Sequence, residues 1–388
     1  MENLVRWLPA EYDSAQAADY RRPFHTFLVK VASLCNLNCT YCYVYNTPDD
    51  SWKWKPKFIE AETIRLLASR IQEHVVRHAL ADVTVIFHGG EPLLLGAVRL
   101  EEYATILTET IQCPIHWGLQ TNGVLLNEAF IEVFFKYGFR IGLSIDGSRE
   151  HNDRSRVYHN GKSAYADTIQ AIELIKSYPE WNTIFGGVLV VIDLRNEPED
   201  VLSAIVDLGV TSANLLLPDA HHDAPPTRID TSGTDYGQWL YRFFSSWYRK
   251  HPTLEIPYFE EIITLMLGGI SVSEEIGAKS VDLIVVETNG DLEAVDTLKI
   301  VGRSATALNL NLARSSFDDA LEHPAIFSRM SGYTSLCKQC QECKFVKNCG
   351  GGYIPHRFSV ANGFINPSVY CADLKYLFSR IREDVFAS

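Results

Sequence analysis

Membrane-length apolar runs are missing from this chain of 388 residues, which argues against a helical membrane span. The opening residues, MENLVRWLPAEYDSAQ, carry acids where a secretory signal is basic and then apolar, so the expected compartment is the cytoplasm, with no membrane partner. Positive charge is also short. Lys and Arg number 35 against 48 Asp and Glu, a net charge of −13, and a surface poor in cations is a poor partner for nucleic acid. No internal repeat or low-complexity stretch breaks the pattern. With 46% hydrophobic and 21% charged residues, the composition is that of a globular chain with a large core, not a disordered one.

Nine cysteines are an ordinary number, but their placement is not. Cys35, Cys39 and Cys42 lie within eight residues, and Cys337, Cys340, Cys343, Cys349 and Cys371 within the last 52, while Cys113 stands alone. In a reducing compartment, clustered thiols are metal ligands more often than disulfides, and an odd total disfavours complete pairing.

Between the clusters, strand patterns alternate with helical ones. Apolar runs at Phe27–Val31, Val83–Phe87, Ile115–Leu119, Ile141–Ile145, Val188–Ile192 and Asn214–Leu217 read as strands. Segments such as Ala61–Ala79 and Tyr165–Ile175 read as helices between them. That alternation predicts an α/β fold with a parallel sheet, either open and doubly wound or a partial (β/α)6 barrel. His221–Thr234 reads as a loop, followed by helices over Tyr236–Arg249 and Phe259–Leu267. Asn289-Gly290 between Val281–Glu287 and Leu292–Val295 predicts a hairpin. Beyond Ser335 the chain is dense in Cys and Gly and poor in core periodicity, up to a closing helix from about Ala372.

Cys35-Asn-Leu-Asn-Cys39-Thr-Tyr41-Cys42 follows the first strand, at the sheet edge where α/β active sites form. Three thiolates are one short of a closed zinc site or a fully protein-ligated [4Fe–4S] cluster. The set therefore suits either a cluster with one open iron or a zinc loop with a remote fourth ligand. The spacing, with Tyr41 before the last Cys, resembles the radical S-adenosylmethionine (SAM) superfamily. Gly89-Gly90-Glu91-Pro92, ending the second strand, resembles that family's motif for the amino group of SAM. Ser144 and Asp146, ending the fourth strand, stand where the family contacts SAM, and Arg156 resembles an Arg that pairs with the SAM carboxylate. The resemblance implies a partial (β/α)6 barrel. It also implies a [4Fe–4S] cluster at Cys35, Cys39 and Cys42 that chelates SAM, and a 5′-deoxyadenosyl radical that abstracts a substrate hydrogen atom. Flavodoxin or ferredoxin is the electron donor to expect.

Cys340-x2-Cys343-x5-Cys349, with Cys371 further on, supplies four thiolates, enough for a second [4Fe–4S] cluster or for a zinc ribbon. The pattern resembles the SPASM extension of radical SAM enzymes that modify peptides. Full SPASM domains hold two auxiliary clusters. Here Val295 and Tyr353 stand where thiols of the first would be, so one auxiliary cluster is expected, with Cys337 outside the pattern. Asp296, beside the lost ligand, resembles an acid proposed in related maturases to take a substrate proton; an exposed hairpin Asp is the alternative. The stretch from Cys349 through Gly350, Gly351, Gly352 and His356 to Asp373, with Leu216-Leu217-Pro218-Asp219 and His221-His222, resembles maturases that form three-residue cyclophanes on ribosomal precursor peptides. The His pair reads as part of a polar loop over the substrate.

The expected organisation is an N-terminal segment (1–22), the barrel (23–225), a helical bridge (226–280) and a SPASM-like domain (281–388). The expected activity is a C–C crosslink between an aromatic ring and a side-chain β-carbon of a precursor peptide. Alternatives are an ether or thioether crosslink, or oxidation of a side chain to an aldehyde as in sulfatase maturation. An iron–sulfur electron carrier or sensor is the non-enzymatic alternative; it has no use for a SAM motif.

Overall fold

The structure, a computed structural model, describes residues 5–10 and 21–386, apart from the side chains at 303 and 304. The expected segment 1–22 lies largely outside them. Six strands follow one another along the sheet in chain order: β1 (Thr26–Ala32), β2 (Val83–Gly89), β3 (Ile115–Thr121), β4 (Arg140–Ser144), β5 (Phe185–Val191) and β6 (Ala213–Leu216). Each pairs in parallel with the next. Between them cross α1 (Ala61–His78), α2 (Ala97–Thr110), α3 (Glu128–Tyr137), α4 (Tyr165–Lys176) and α5 (Pro198–Asp207). A doubly wound sheet reverses its strand order at a switch point, and this one does not. Right-handed crossovers then place every helix on the same face. The sheet is the partial (β/α)6 barrel, and topology decides what periodicity left open.

Local sequence accounts for the elements. Along α1 the buried residues Ile64, Leu67, Ala68, Ile71 and Val75 recur every three or four positions and face the sheet. The helix ends at Ala79 in the left-handed conformation, and α3 ends at Gly138, φ 72°, which suits glycine best. In β1, Phe27, Val29 and Val31 are fully buried.

The sheet continues past β1. The strand β7 (Leu283–Val286) pairs with β1 in parallel, then turns through Asn289-Gly290 into antiparallel β8 (Asp291–Glu293) and on to β9 (Ala307–Asn311). The expected hairpin is therefore an extension of the barrel sheet. β9 has no counterpart among the expected strands, because ALNLN is short and carries two Asn, which strands disfavour.

The helices α6 (Asp235–Lys250), α7 (Pro257–Met266) and α8 (Cys371–Phe386) complete the chain. α6 and α8 pack closely at Gly237, where a Cβ would lie 2.4 Å from the Asp373 carbonyl oxygen. The segment beyond Ser335 is poor in core periodicity, as its sequence reads, but not in core residues. It buries Leu336, Phe345, Ile354, Phe364 and Tyr370, carried on bends, turns and a single helical turn too short to show a period. No helix among the described residues is long and apolar enough to cross a membrane.

Candidate functional site

The C-terminal ends of the strands open onto a cavity of about 330 Å³. Cys35, Cys39, Tyr41, Cys42, Gly89, Gly90, Glu91, Ser144 and Arg156, all singled out in the sequence, line it. Pro92, Asp146 and Asp296 are not among the lining residues; they sit buried behind the wall.

The thiol side is built from backbone fits. Gly89 has φ +139°, and a Cβ there would lie 2.1 Å from the Ala32 carbonyl oxygen. At Gly90 a Cβ would collide with the Tyr45 hydroxyl and the Leu34 carbonyl. The turn can thus lie flat on the start of the cysteine loop, with Gly90 N–H donating to Ala32 O (2.9 Å) and Glu91 N–H to Leu34 O (2.8 Å). The Glu91 carboxylate accepts from Leu93 N–H (3.0 Å), the Thr121 hydroxyl (2.6 Å) and Asn122 N–H (2.8 Å). Burial raises its carboxyl and those donors oppose the rise, so Glu91 acts as a brace between the ends of β2 and β3.

Behind Tyr41 runs a second brace. Asp146 accepts from the Tyr41 hydroxyl (2.7 Å) and Val191 N–H (3.0 Å), and Arg156 donates to Tyr41 Oη (2.9 Å). Arg156 is buried and remains cationic, because Tyr41, Cys39 and Asp146 offset its desolvation. Ser144 Oγ accepts from Gln120 Nε2 (2.8 Å), and both residues face the cavity.

Asp296 is 3% exposed, which removes the exposed-hairpin alternative. Its carboxylate accepts from the Tyr43 hydroxyl (2.7 Å) and lies 3.4 Å from Lys30 Nζ and 3.9 Å from His88 Nδ1. Burial works against its charge, but Lys30, His88 and Tyr43 together hold the carboxyl below its ordinary value. Tyr43 and His88 line the cavity in front of it. A buried Lys in the middle of β1 was the available signal for this arrangement; alone it named no partner.

The remaining wall comes from the β6 loop and the C-terminal half: Leu216, Leu217, Asp219, Tyr258, Glu275, Thr297, Tyr353 and His356. Sequence reasoning picked out Asp219 and His356 only as parts of a motif, and missed Tyr258 and Glu275, which stand in no recognisable pattern. Val295 is packed in the core, and the Tyr353 hydroxyl is hydrogen-bonded to Thr297, so neither position offers a ligand atom. The His pair does not line the cavity. His221 packs edge-on against Phe358, and His222 bonds the Pro367 carbonyl (2.8 Å), tying the loop to the C-terminal segment.

Cys340, Cys343, Cys349 and Cys371 surround one small void, brought together by two short turns and the start of α8. Cys337 is not among its lining residues, though its thiol lies within hydrogen-bonding reach of that of Cys340. The buried Arg357, anchored on the Gly350 and Gly352 carbonyls, places a cation beside these sulfurs. Among the described residues no three thiols have their sulfurs within 4.8 Å of one another. Three thiols beside the open cavity and four around the void match the donor sets of four-iron clusters, one with three protein ligands and one with four.

A half-barrel with an open three-thiol site against a glycine turn defines a class, the enzymes that use an iron–sulfur cluster to cleave SAM. The comparisons agree. Residues 29–205 match the model of the Radical SAM superfamily. A cysteine-type anaerobic sulfatase-maturating enzyme from Clostridium novyi is 22% identical over 383 residues, spanning 92% of this chain and 94% of that one. The solved structure of native anSMEcpe with bound AdoMet and the Cp18Cys peptide superposes with a TM-score of 0.78 at 22% identity, covering 93% of this chain and 98% of that one. Streptococcus suis SuiB bound to precursor peptide SuiA gives 0.57 at 14% identity, covering 92% and 78%. Residues 29–205 thus form a radical SAM domain, and the chain is an enzyme with SAM and a [4Fe–4S] cluster as its cofactors.

Proposed function

We propose that this enzyme modifies a ribosomally made precursor peptide by forming a C–C bond between an aromatic ring and a side-chain β-carbon. The observation that carries this reading is the Tyr43–Asp296–Lys30 arrangement, a proton-accepting device set in the wall of the same cavity that Cys35, Cys39 and Cys42 line. When bound, SAM and the cluster on those cysteines supply hydrogen-atom abstraction from a substrate C–H bond, and a cluster on Cys340, Cys343, Cys349 and Cys371 a one-electron acceptor.

The chain's own residues do the rest. Gly89 and Gly90 let their turn lie flat on the cysteine loop beside the cavity, and Arg156 presents a buried guanidinium to a ligand carboxylate. Ser144 and Gln120 offer hydrogen bonds at the end of β4 and β3, while Glu91 and Asp146 keep the loops in place. Leu189, Val191, Leu216 and Leu217 give the cavity an apolar wall for a side chain and exclude water from it. A ring that has gained a bond to carbon must lose one proton to become aromatic again. Tyr43 Oη faces the cavity and can take that proton while handing its own to Asp296 Oδ2, which Lys30 keeps ionised.

A second reading, oxidation of a peptide side chain to an aldehyde, is favoured by the relatives named as sulfatase-maturating enzymes. Co-expression with a candidate precursor separates the two. A crosslinked peptide loses two hydrogens and stays inert to a hydrazide reagent; an aldehyde product is labelled by it, and labelling would overturn the crosslink reading.

A further inference from the structure

Asp219, Glu275, Tyr258 and His356 meet on one wall of the cavity although they come from the β6 loop, the segment after α7, α7 itself and the turn Ile354–Arg357. His356 is 4% exposed and Tyr258 is 5% exposed, yet His356 Nε2 and Tyr258 Oη make no hydrogen bond among the described residues. Asp219 Oδ1 is 4.0 Å from His356 Nε2, and among the described residues no side chain hydrogen-bonds or ion-pairs with the Glu275 carboxylate. The neighbouring acids are all compensated. Asp296 has Lys30, Glu274 has Arg329 (3.0 Å), and Glu261 accepts from Ser271, Val272 and Ser273. Arg156 is the one Arg or Lys among the lining residues, and it is committed to Tyr41.

Desolvated carboxylates without a counter-charge are unfavourable, and the two acids, half-buried in the cavity wall, show it. Asp219 is pushed up to about 7 by burial and by Asp296, and Glu275 to about 8 by burial and by Glu261, Glu274 and Asp219. Burial and Arg357 hold His356 neutral, down to about 3, so it supplies an acceptor or donor and no charge. The wall thus lacks a cation. The donor atoms of Asp219, Glu275 and His356 are not gathered within 4.8 Å, which is too open for a single metal ion bound at about 2.0–2.2 Å. Hydrogen bonds of about 2.8 Å to an organic cation reach further.

We infer that this wall is a subsite for a cationic side chain of the substrate, an ammonium or guanidinium held between Asp219 and Glu275, with His356 Nε2 and Tyr258 Oη completing its hydrogen bonds. The inference rests on the peptide reading above and deepens it: the modified peptide carries Lys or Arg near the reacting residues. Two probes that differ only by a terminal ammonium test it, Nα-acetyl-lysine amide and Nα-acetyl-norleucine amide, titrated calorimetrically into the full-length, anaerobically reconstituted enzyme with SAM present. The lysine derivative should bind more than tenfold more tightly. In D219N/E275Q the two should bind within about twofold of each other; should that variant not fold, E275Q alone should reduce the preference severalfold. Equal binding to the native enzyme overturns the subsite, as does a lysine preference that survives the substitutions. Peptide turnover without the preference sinks the subsite alone, whereas the preference without any peptide product sustains the subsite and sinks the peptide reading.

Discussion

On the cavity wall made by β1 to β4 the acids and the guanidinium are paired, with three donors to Glu91, two to Asp146, and Arg156 on Tyr41, although His88 Nδ1 there has no hydrogen bond among the described residues. On the wall made by the β6 loop and the C-terminal half, among the described residues, His356 Nε2 and Tyr258 Oη are buried without a hydrogen bond and Asp219 and Glu275 have no Lys or Arg partner. Both walls are polar, so composition does not distinguish them. Satisfaction does. A paired buried group has its stabilisation inside the protein and holds shape; an unpaired one carries a desolvation penalty that a ligand relieves. Asp296 lies between the two cases, ionised and paired, but touching the cavity only through Tyr43 and His88.

The harshest way to break the comparison is to remove the thiols on the paired side. Reconstituted enzyme should hold about eight irons in two four-iron clusters, and replacing Cys35, Cys39 and Cys42 with Ala should leave about four and abolish 5′-deoxyadenosine formation. Iron analysis near twelve would instead bring Cys337 into a further site. Next in size, Asp296→Asn keeps shape and removes the base behind Tyr43. SAM cleavage should continue while crosslinked peptide falls by roughly 10²–10⁴-fold, seen by mass spectrometry as uncoupled turnover. Normal crosslinking in that variant would move the base to Asp219.

Arg156→Ala should leave both clusters intact and weaken SAM binding by about 1.5–3 kcal/mol, because a charge-assisted pair is lost. An unchanged affinity would make Arg156 a brace for Tyr41 and nothing more. The smallest effect sharpens the contrast most. Glu91→Ala strands Thr121 and two backbone donors and should lower stability by about 1–3 kcal/mol. Asp219 and Glu275 behave the other way. Their folded values lie above the ordinary carboxyl range, so their contribution is complete at low pH and is lost as pH rises through about 7 and about 8. Asp219 faces Asp296, Glu275 and His356, and Glu275 faces Glu261 and Glu274, with no cation among them. Thermal melts of substrate-free enzyme should therefore fall as pH rises from about 5 to about 8 and level off above that, and D219N/E275Q should flatten the fall.

Much of this was legible in the amino-acid string. The six strands, the Asn-Gly hairpin and the long helices sit within a few residues of their expected places, because each is specified by the period of its own side chains. β9 and the single-turn helices beyond Ser335 were not, since four or five residues show no period. Of the candidate site, the cysteine spacings and Gly89-Gly90 were readable because thiol ligation and a close backbone approach both demand particular residues at short range.

The sequence by itself thus determined the class of chemistry, a cluster-and-SAM enzyme on a parallel α/β frame. Only the tertiary structure decided how the acids divide. Lys30 in β1 meets Asp296 across more than 260 positions and keeps it charged, while Asp219, Glu275 and His356 converge from three distant segments with no cation among them. A carboxylate's protonation state depends on burial and on the charges around it, and both are set by long-range packing rather than by the residues beside it in the chain.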